Sequence, residues 1–151
     1  MCLRTKAETM RFIYPYTVFQ TEDGAWQVRF PDVPEALTEG ADLAEAQALA
    51  TDALIAALGG LVRLKRDIPC PSSIESPPVC VVPMLLAAKL ALWQAMRERG
   101  MTNVALAREL GLLEGEVRRM LDLDHKTKIG TLETALRWFG RQMASEVRPA
   151  S

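Results

Sequence analysis

Two adjacent arginines, Arg118 and Arg119, stand in a short segment of helical spacing that directly follows a glycine break. A guanidinium can bind guanine O6 and N7 through two hydrogen bonds, or clamp a phosphate. Lys126 and Lys128 follow in a loop, where lysines suit backbone phosphates. These residue types at this spacing favour binding of double-stranded DNA. The alternative is that the arginines are solvated, with Arg118 paired to Glu114 one helical turn earlier.

Carboxylates are the residues that would support catalysis, because two-metal nucleases bring several of them together around the ions. None of the candidates lies in the middle of a predicted strand among apolar neighbours, and the lone His125 has no elbow-type serine nearby. We therefore expect no enzyme, no catalytic residue, no metal and no cofactor. The carboxylates considered are Asp23, Asp32, Glu35, Asp42 and Asp52.

The three cysteines, Cys2, Cys70 and Cys80, form no CxxC pair, and with one histidine no zinc ligand set is apparent. The odd count indicates reduced thiols in a cytoplasmic protein. Residues 1–10 lack the apolar region of a signal peptide, and no apolar run approaches the length of a membrane span. We expect a cytoplasmic location and no membrane contact.

The elements that must position the arginines have the pattern of a small helical bundle. Thr102 can cap a helix that ends at Gly111, where a sharp turn needs a left-handed residue. Ala107 lies four residues before that glycine and Val117 six after it. A small residue at the helix crossing, a turn glycine and a buried branched residue at this spacing predict a helix-turn-helix. A final helix is predicted in "TLETALRWFG".

That motif predicts which residues contact DNA. The glutamates of the second helix are unfavourable near phosphates, but a carboxylate can accept from cytosine N4. Such domains usually bind two half-sites as dimers, so we expect a homodimer or a tetramer. The predicted DNA-binding residues are Thr102, Leu113, Glu114, Gly115, Arg118, Arg119, Asp122, Lys126 and Lys128.

The N-terminal part has the pattern of strands followed by one helix. "RFIYPYTVFQ" and "TEDGAWQVRF" predict two strands around an Asp23-Gly24 turn, and a short third strand is predicted at 36–39. Asp42 with Glu45 forms a capping-box pattern that begins a helix, which Gly59-Gly60 interrupts. "PVCVVP" adds a last strand, giving an α+β domain of order β-β-β-α-β.

These patterns divide the chain into two domains of opposite charge. We predict a disordered lead-in over 1–9, an α+β domain over 10–82 with a Pro/Ser-rich loop at 68–78, a helical domain over 83–145, and a tail over 146–151. Residues 1–82 hold seven Lys/Arg against eleven Asp/Glu, and residues 83–151 hold eleven against eight. An acidic first half and a basic second half indicate two different partners.

The chain resembles the HicB antitoxins of bacterial and archaeal toxin–antitoxin pairs. The resemblance is carried by "RFIYPYTVF", "DGAWQVRFPDVP", "ALTEGADLAEAQALATDALIAAL", "IPCPS" and the segment from "VPMLLAAKLALWQAMRERGMTNVALARELG" to "TLETALRWFG". It covers the chain from Met10 to about Met143. It implies a truncated ribonuclease H-like N-terminal domain and, with the motif above, a C-terminal helix-turn-helix domain of the Cro/repressor type. The chain differs from the usual pattern of this family at Glu35-Ala36 and at Gly59-Gly60, both in the part that the resemblance implies binds the toxin.

The resemblance also implies two partners. The acidic domain would bind and neutralise a small basic toxin, the mRNA interferase HicA, and the helix-turn-helix would bind operator DNA and repress the operon. The solvent-exposed face of the hairpin and the following loop are the expected toxin contacts. The alternative is a standalone helix-turn-helix regulator whose N-terminal domain senses a small ligand, although one helix on a thin sheet leaves little room for a pocket. The expected toxin-binding residues are Glu22, Asp23, Gln27, Arg29, Asp32 and Glu35.

Overall fold

Alternating apolar side chains and a Gly-containing turn produce a sheet in the N-terminal unit, as the sequence predicts. The computed structural model describes residues 9–72 and 78–150, and the chain divides into two units, Met1–Val82 and Pro83–Ser151. The predicted lead-in lies almost wholly outside the described residues. The first unit contains β1 (Ile13–Pro15), β2 (Thr17–Gln20), β3 (Trp26–Arg29), β4 (Leu37–Gly40), α1 (Leu43–Arg63) and β5 (Val79–Val81).

The predicted first strand is two strands, because the chain changes its pairing partner at Tyr16. β1 pairs antiparallel with β5, whereas β2, β3 and β4 form a separate antiparallel sheet. Pro15 has no N–H to continue a ladder, and the Tyr16 N–H donates to the carbonyl of Pro78 at 3.1 Å. The order is therefore β-β-β-β-α-β, one strand more than predicted.

Helix α1 begins where the sequence predicts but does not stop at its glycines. The Asp42 carboxylate accepts from the Glu45 N–H at 2.8 Å, and the Glu45 carboxylate accepts from the Ala41 N–H at 2.7 Å. The helix continues through Gly59-Gly60 to Arg63, because its buried stripe packs on the sheet and outweighs the low helix propensity of glycine. That stripe comprises Ala46, Ala50, Leu54, Leu58 and Leu61.

Helix α1 is also long and apolar enough, by length and composition, to cross a membrane. Its uninterrupted apolar run covers only residues 53–62, between Asp52 and Arg63, and is shorter than a membrane span. The core helix of a soluble protein satisfies the same criterion.

The cysteine prediction needs one correction. Cys80 is a free thiol, and burial raises its pKa. Cys70 is disulfide-bonded, so the expectation of reduced thiols is wrong at this position. An odd number of cysteines does not exclude a single bond.

Tyr14 anchors the segment that follows α1. Its side chain is fully buried, and its hydroxyl donates to the carbonyl of Pro69 at 2.8 Å. Burial, and secondarily the negative charge of Asp32, raise the pKa of the Tyr14 hydroxyl. The folded state therefore keeps this proton at alkaline pH, where the unfolded chain releases it.

We expect Tyr14→Phe to lower the free energy of unfolding at pH 7 by about 1 kcal/mol, through loss of the hydrogen bond to Pro69. The raised pKa stabilises the native state below pH ~10, and this contribution is lost as the pH rises above that value. The deficit of the variant should therefore shrink between pH 7 and pH 11 in urea titrations. A deficit that stays constant with pH would contradict this assignment.

The second unit contains four helices around one apolar core. They are α2 (Met84–Glu98), α3 (Asn103–Leu110), α4 (Glu114–Leu121) and α5 (Ile129–Trp138). Ala107 and Val117, the small and the branched residue of the predicted motif, are buried in this core together with Leu106. Residues 141–150 follow α5 without regular secondary structure.

Candidate functional site

Helices α3 and α4 are joined by a tight turn that is held by interactions between residues close in sequence. The Thr102 hydroxyl oxygen accepts from the Ala105 N–H at 3.1 Å and caps the start of α3. Gly111 has φ +67°, the left-handed conformation that glycine adopts without strain, and it ends this helix. The Leu112 N–H then donates to the Ala107 carbonyl at 2.8 Å, which closes the turn. Two short helices are thus held close together, with α4 presenting its polar face outward.

The two glutamates in the first turn of α4 make different contacts. The Glu116 carboxylate accepts from the Leu113 N–H at 2.8 Å and caps the start of the helix. Glu114 lies 3.9 Å from the Arg118 guanidinium. Arg118 is nevertheless 71% exposed, so this pair is a weak surface ion pair that a phosphate or base could replace.

Both guanidinium groups lie beside Gly115, in the first turn of α4. A Cβ placed on Gly115 would lie 3.7 Å from Nη2 of Arg118 and 3.9 Å from Nη1 of Arg119. Both side chains therefore fold back along the helix toward its N-terminal turn. Leu113, in the N-cap position just before, is 74% exposed.

A concavity of about 200 Å³ gathers the basic residues on one side of α4. Arg119 comes from the helix, whereas Lys126 and Lys128 come from the loop between α4 and α5. The structure brings these three together, and Arg118 is not among the lining residues. The lining is completed by Leu112, Glu116, Met120, His125, Thr127 and Thr131.

The loop between α4 and α5 is held by a buried lysine that the sequence analysis missed. Lys89 of α2 is fully buried, and its Nζ donates to the carbonyls of Arg119 at 3.1 Å, Asp122 at 2.6 Å and His125 at 2.6 Å, and to Oγ1 of Thr127 at 2.9 Å. Burial lowers the pKa of Lys89, and the Asp122 carboxylate opposes this shift. The only sequence signal was one charged residue inside an otherwise apolar helical run.

The other predicted DNA-binding residues have local structural roles. The Thr102 side chain caps α3, and the Asp122 carboxylate accepts from the Asp124 N–H at 2.9 Å in the turn after α4. Asp122 is exposed on the side of the turn, while its carbonyl points to the buried Lys89.

In the N-terminal unit, two of the predicted toxin contacts lie on the open face of the sheet β2-β3-β4. Gln27 accepts from Nε of Arg29 at 2.8 Å, and the Arg29 guanidinium lies 4.9 Å from the centre of the Phe19 ring. The strand register places Arg29 beside Leu37, which is 52% exposed, and Gln27 beside Glu39. Phe19 and Leu37 are exposed apolar residues of this face that were not predicted, although alternation along each strand places them there.

Of the remaining predicted toxin contacts, Asp32 and Glu35 are bound within the unit, and Glu22 and Asp23 lie at the hairpin tip. The Asp32 carboxylate accepts from both the N–H and the hydroxyl of Ser72 at 2.9 Å, and Glu35 lies 3.3 Å from Arg66. Glu22 and Asp23 are exposed at the hairpin tip, where the Thr21 hydroxyl donates to the Asp23 carboxylate and lowers its pKa. Over residues 9–72 and 78–150, no group of three or more His, Cys, Asp or Glu residues is arranged to hold a metal ion.

The fold and these surfaces define a protein with two units, one carrying an open sheet face and the other a basic concavity beside a short helix. A family model described as a HicB-like antitoxin of bacterial toxin–antitoxin systems matches residues 13–91. The chain belongs to this family of antitoxins.

Curated relatives match over both units of the chain. Antitoxin HicB 2 of Photorhabdus laumondii is 39% identical over 125 residues, covering 83% of this chain and 89% of that protein. Antitoxin HicB of Escherichia coli K12 is 35% identical over 132 residues, covering 87% and 96%. Antitoxin HicB of Pseudomonas fluorescens is 34% identical over 144 residues, covering 94% and 98%. These relatives are named antitoxins and not enzymes.

Proposed function

We propose that this chain is a cytoplasmic antitoxin that neutralises a HicA-type mRNA-interferase toxin and represses its own operon by binding operator DNA through a helix-turn-helix. The single observation that carries the DNA-binding part is the concavity in which Arg119, Lys126 and Lys128 come together. Three cations from a helix and the loop after it suit a phosphate backbone, and the neighbouring arginine suits a base edge.

The fold of α3 and α4 supports the helix-turn-helix assignment. The cap at Thr102, the left-handed turn at Gly111 and the buried Val117 are the features that such a motif needs. In this proposal α4 enters the major groove, and the loop carrying Lys126 and Lys128 contacts the backbone. A single short helix buries little surface, so a homodimer or tetramer would bind paired half-sites.

The toxin-binding part is supported by family membership and by the sheet face of the N-terminal unit. An open face that carries Phe19 and Leu37 beside Gln27 and Arg29 offers both apolar area and hydrogen-bonding groups to a protein partner. The excess of acidic over basic residues in 1–82 would favour a basic, RNA-binding toxin. We propose this face, with the hairpin tip at Glu22 and Asp23, as the toxin contact.

Two assays test the proposal separately. The proposal predicts a short reading frame for the toxin beside the gene. Its purified product should cleave RNA, and adding this chain in equimolar amount should stop the cleavage. In a gel-shift assay, the chain should bind DNA from immediately upstream of the gene more tightly than unrelated DNA of equal length. Cleavage that continues would contradict the antitoxin function, and equal affinity for both DNAs would contradict operator binding.

A further inference from the structure

The burial of the Lys89 side chain is not explained by the stability of the helical core. A lysine ammonium is among the least frequently buried groups, because removing it from water is costly unless it is fully hydrogen-bonded. Here it is completely buried and reaches four oxygen atoms. An apolar residue at this position of α2 would fill the same space without that cost.

All four oxygens belong to one stretch of chain, the end of α4 and the loop that follows it. The Arg119 and Asp122 carbonyls lie at the C-terminal end of α4, where backbone carbonyls lack helical partners and a cation is favoured. The His125 carbonyl and the Thr127 hydroxyl lie on either side of Lys126. Lys89 therefore joins the backbone under Arg119 to the backbone that carries the loop lysines.

We infer that Lys89 is a positioning residue for DNA binding: its ammonium fixes the α4–α5 loop so that Lys126 and Lys128 are held in register with Arg119. This inference rests on the DNA-binding part of the proposed function. A free loop would have to be ordered at each binding event, and that conformational entropy would weaken every phosphate contact that the loop makes. The buried ammonium pays this cost during folding.

The test compares the full-length wild type with Lys89→Met at several salt concentrations, using DNA from immediately upstream of the gene. Loss of two phosphate contacts should lower the slope of log K against log salt by about 2. The paired change Lys126→Ala with Lys128→Ala should lower the slope of the wild type by a similar amount and add little to Lys89→Met. An unchanged slope, or effects that simply add, would overturn the inference.

Two further variants separate positioning from loss of stability. Leu92→Ala, which removes a fully buried side chain from the same helix and core, should lower the melting temperature without changing the salt slope. Thr127→Val removes one acceptor of the ammonium at nearly constant volume and should lower the slope in part, whereas Thr127→Ser should preserve it. A reduced slope in Leu92→Ala equal to that of Lys89→Met would overturn the positioning role.

Hydrogen exchange without DNA distinguishes failure of this inference from failure of the proposed function. If the wild type does not bind the upstream DNA, the DNA-binding function is contradicted. The positioning of the loop is then decided by backbone amide exchange of the full chain. Selective acceleration over 122–128 in Lys89→Met supports it, and exchange that is unchanged or uniformly faster overturns it.

Discussion

Replacing Gly40 with alanine should destabilise the N-terminal unit by about 3 kcal/mol or more, because the added Cβ has no space. Gly40 ends β4, and its missing side chain lets α1 approach: a Cβ built there would lie 2.4 Å from the backbone nitrogen of Ala46. Backbone cannot move away as a flexible side chain can. The helix would have to separate from the sheet, and toxin neutralisation would be lost with the packing of this unit.

Gly60→Ala is the matched control for this prediction. Gly60 lies inside α1, where an added Cβ would meet only the Arg63 guanidinium at 4.0 Å. Alanine there should stabilise the helix by about 0.5–1 kcal/mol. Urea unfolding followed by amide exchange would place each effect in the N-terminal or the C-terminal unit. Equal stability of the two variants would contradict the close approach of β4 and α1.

Arg119→Ala should weaken binding to the upstream DNA, lower the slope of log K against log salt by about 1, and leave toxin neutralisation unchanged. Arg119 lines the concavity with Lys126 and Lys128, so its loss removes one of three converging cations. Arg118→Ala should change the salt slope less, since Arg118 does not line the concavity and its proposed contact is a base edge. Fluorescence anisotropy with labelled DNA would measure both affinities.

Arg137→Ala supplies the charge control, because this exposed arginine of α5 does not line the concavity. It should change DNA affinity far less than Arg119→Ala, although it removes the same charge. The two-unit account would be contradicted if Arg119→Ala, while correctly folded, impaired neutralisation as strongly as DNA binding. It would also be contradicted if Arg137→Ala and Arg119→Ala lowered the DNA affinity equally.

Features set by neighbouring residues could be predicted from the sequence. The Asp23-Gly24 turn, the Asp42 cap, the Thr102 cap and the Gly111 turn are each decided within a few residues, and each lies where the pattern indicates. Residue types with a strong local preference are sufficient for these elements.

Features set by distant partners could not be predicted in this way. The division of the first strand at Tyr16 depends on β5, which lies more than sixty residues further along the chain. The role of Lys89 depends on carbonyls at the far end of α4, and a lysine in an apolar helix gives no sign of its partners. Asp32 was predicted to contact a toxin, but its carboxylate accepts a hydrogen bond from the Ser72 N–H.

The most direct test of the central claim is a growth assay in which this chain is co-expressed with the short reading frame that the proposal predicts beside its gene. The account predicts that the neighbour alone stops growth, that this chain restores it, and that Arg119→Ala restores it equally well. The antitoxin function would be contradicted if the product of the neighbouring reading frame did not stop growth. It would also be contradicted if this chain, correctly folded, did not restore growth. A standalone DNA-binding regulator would then be the reading to test.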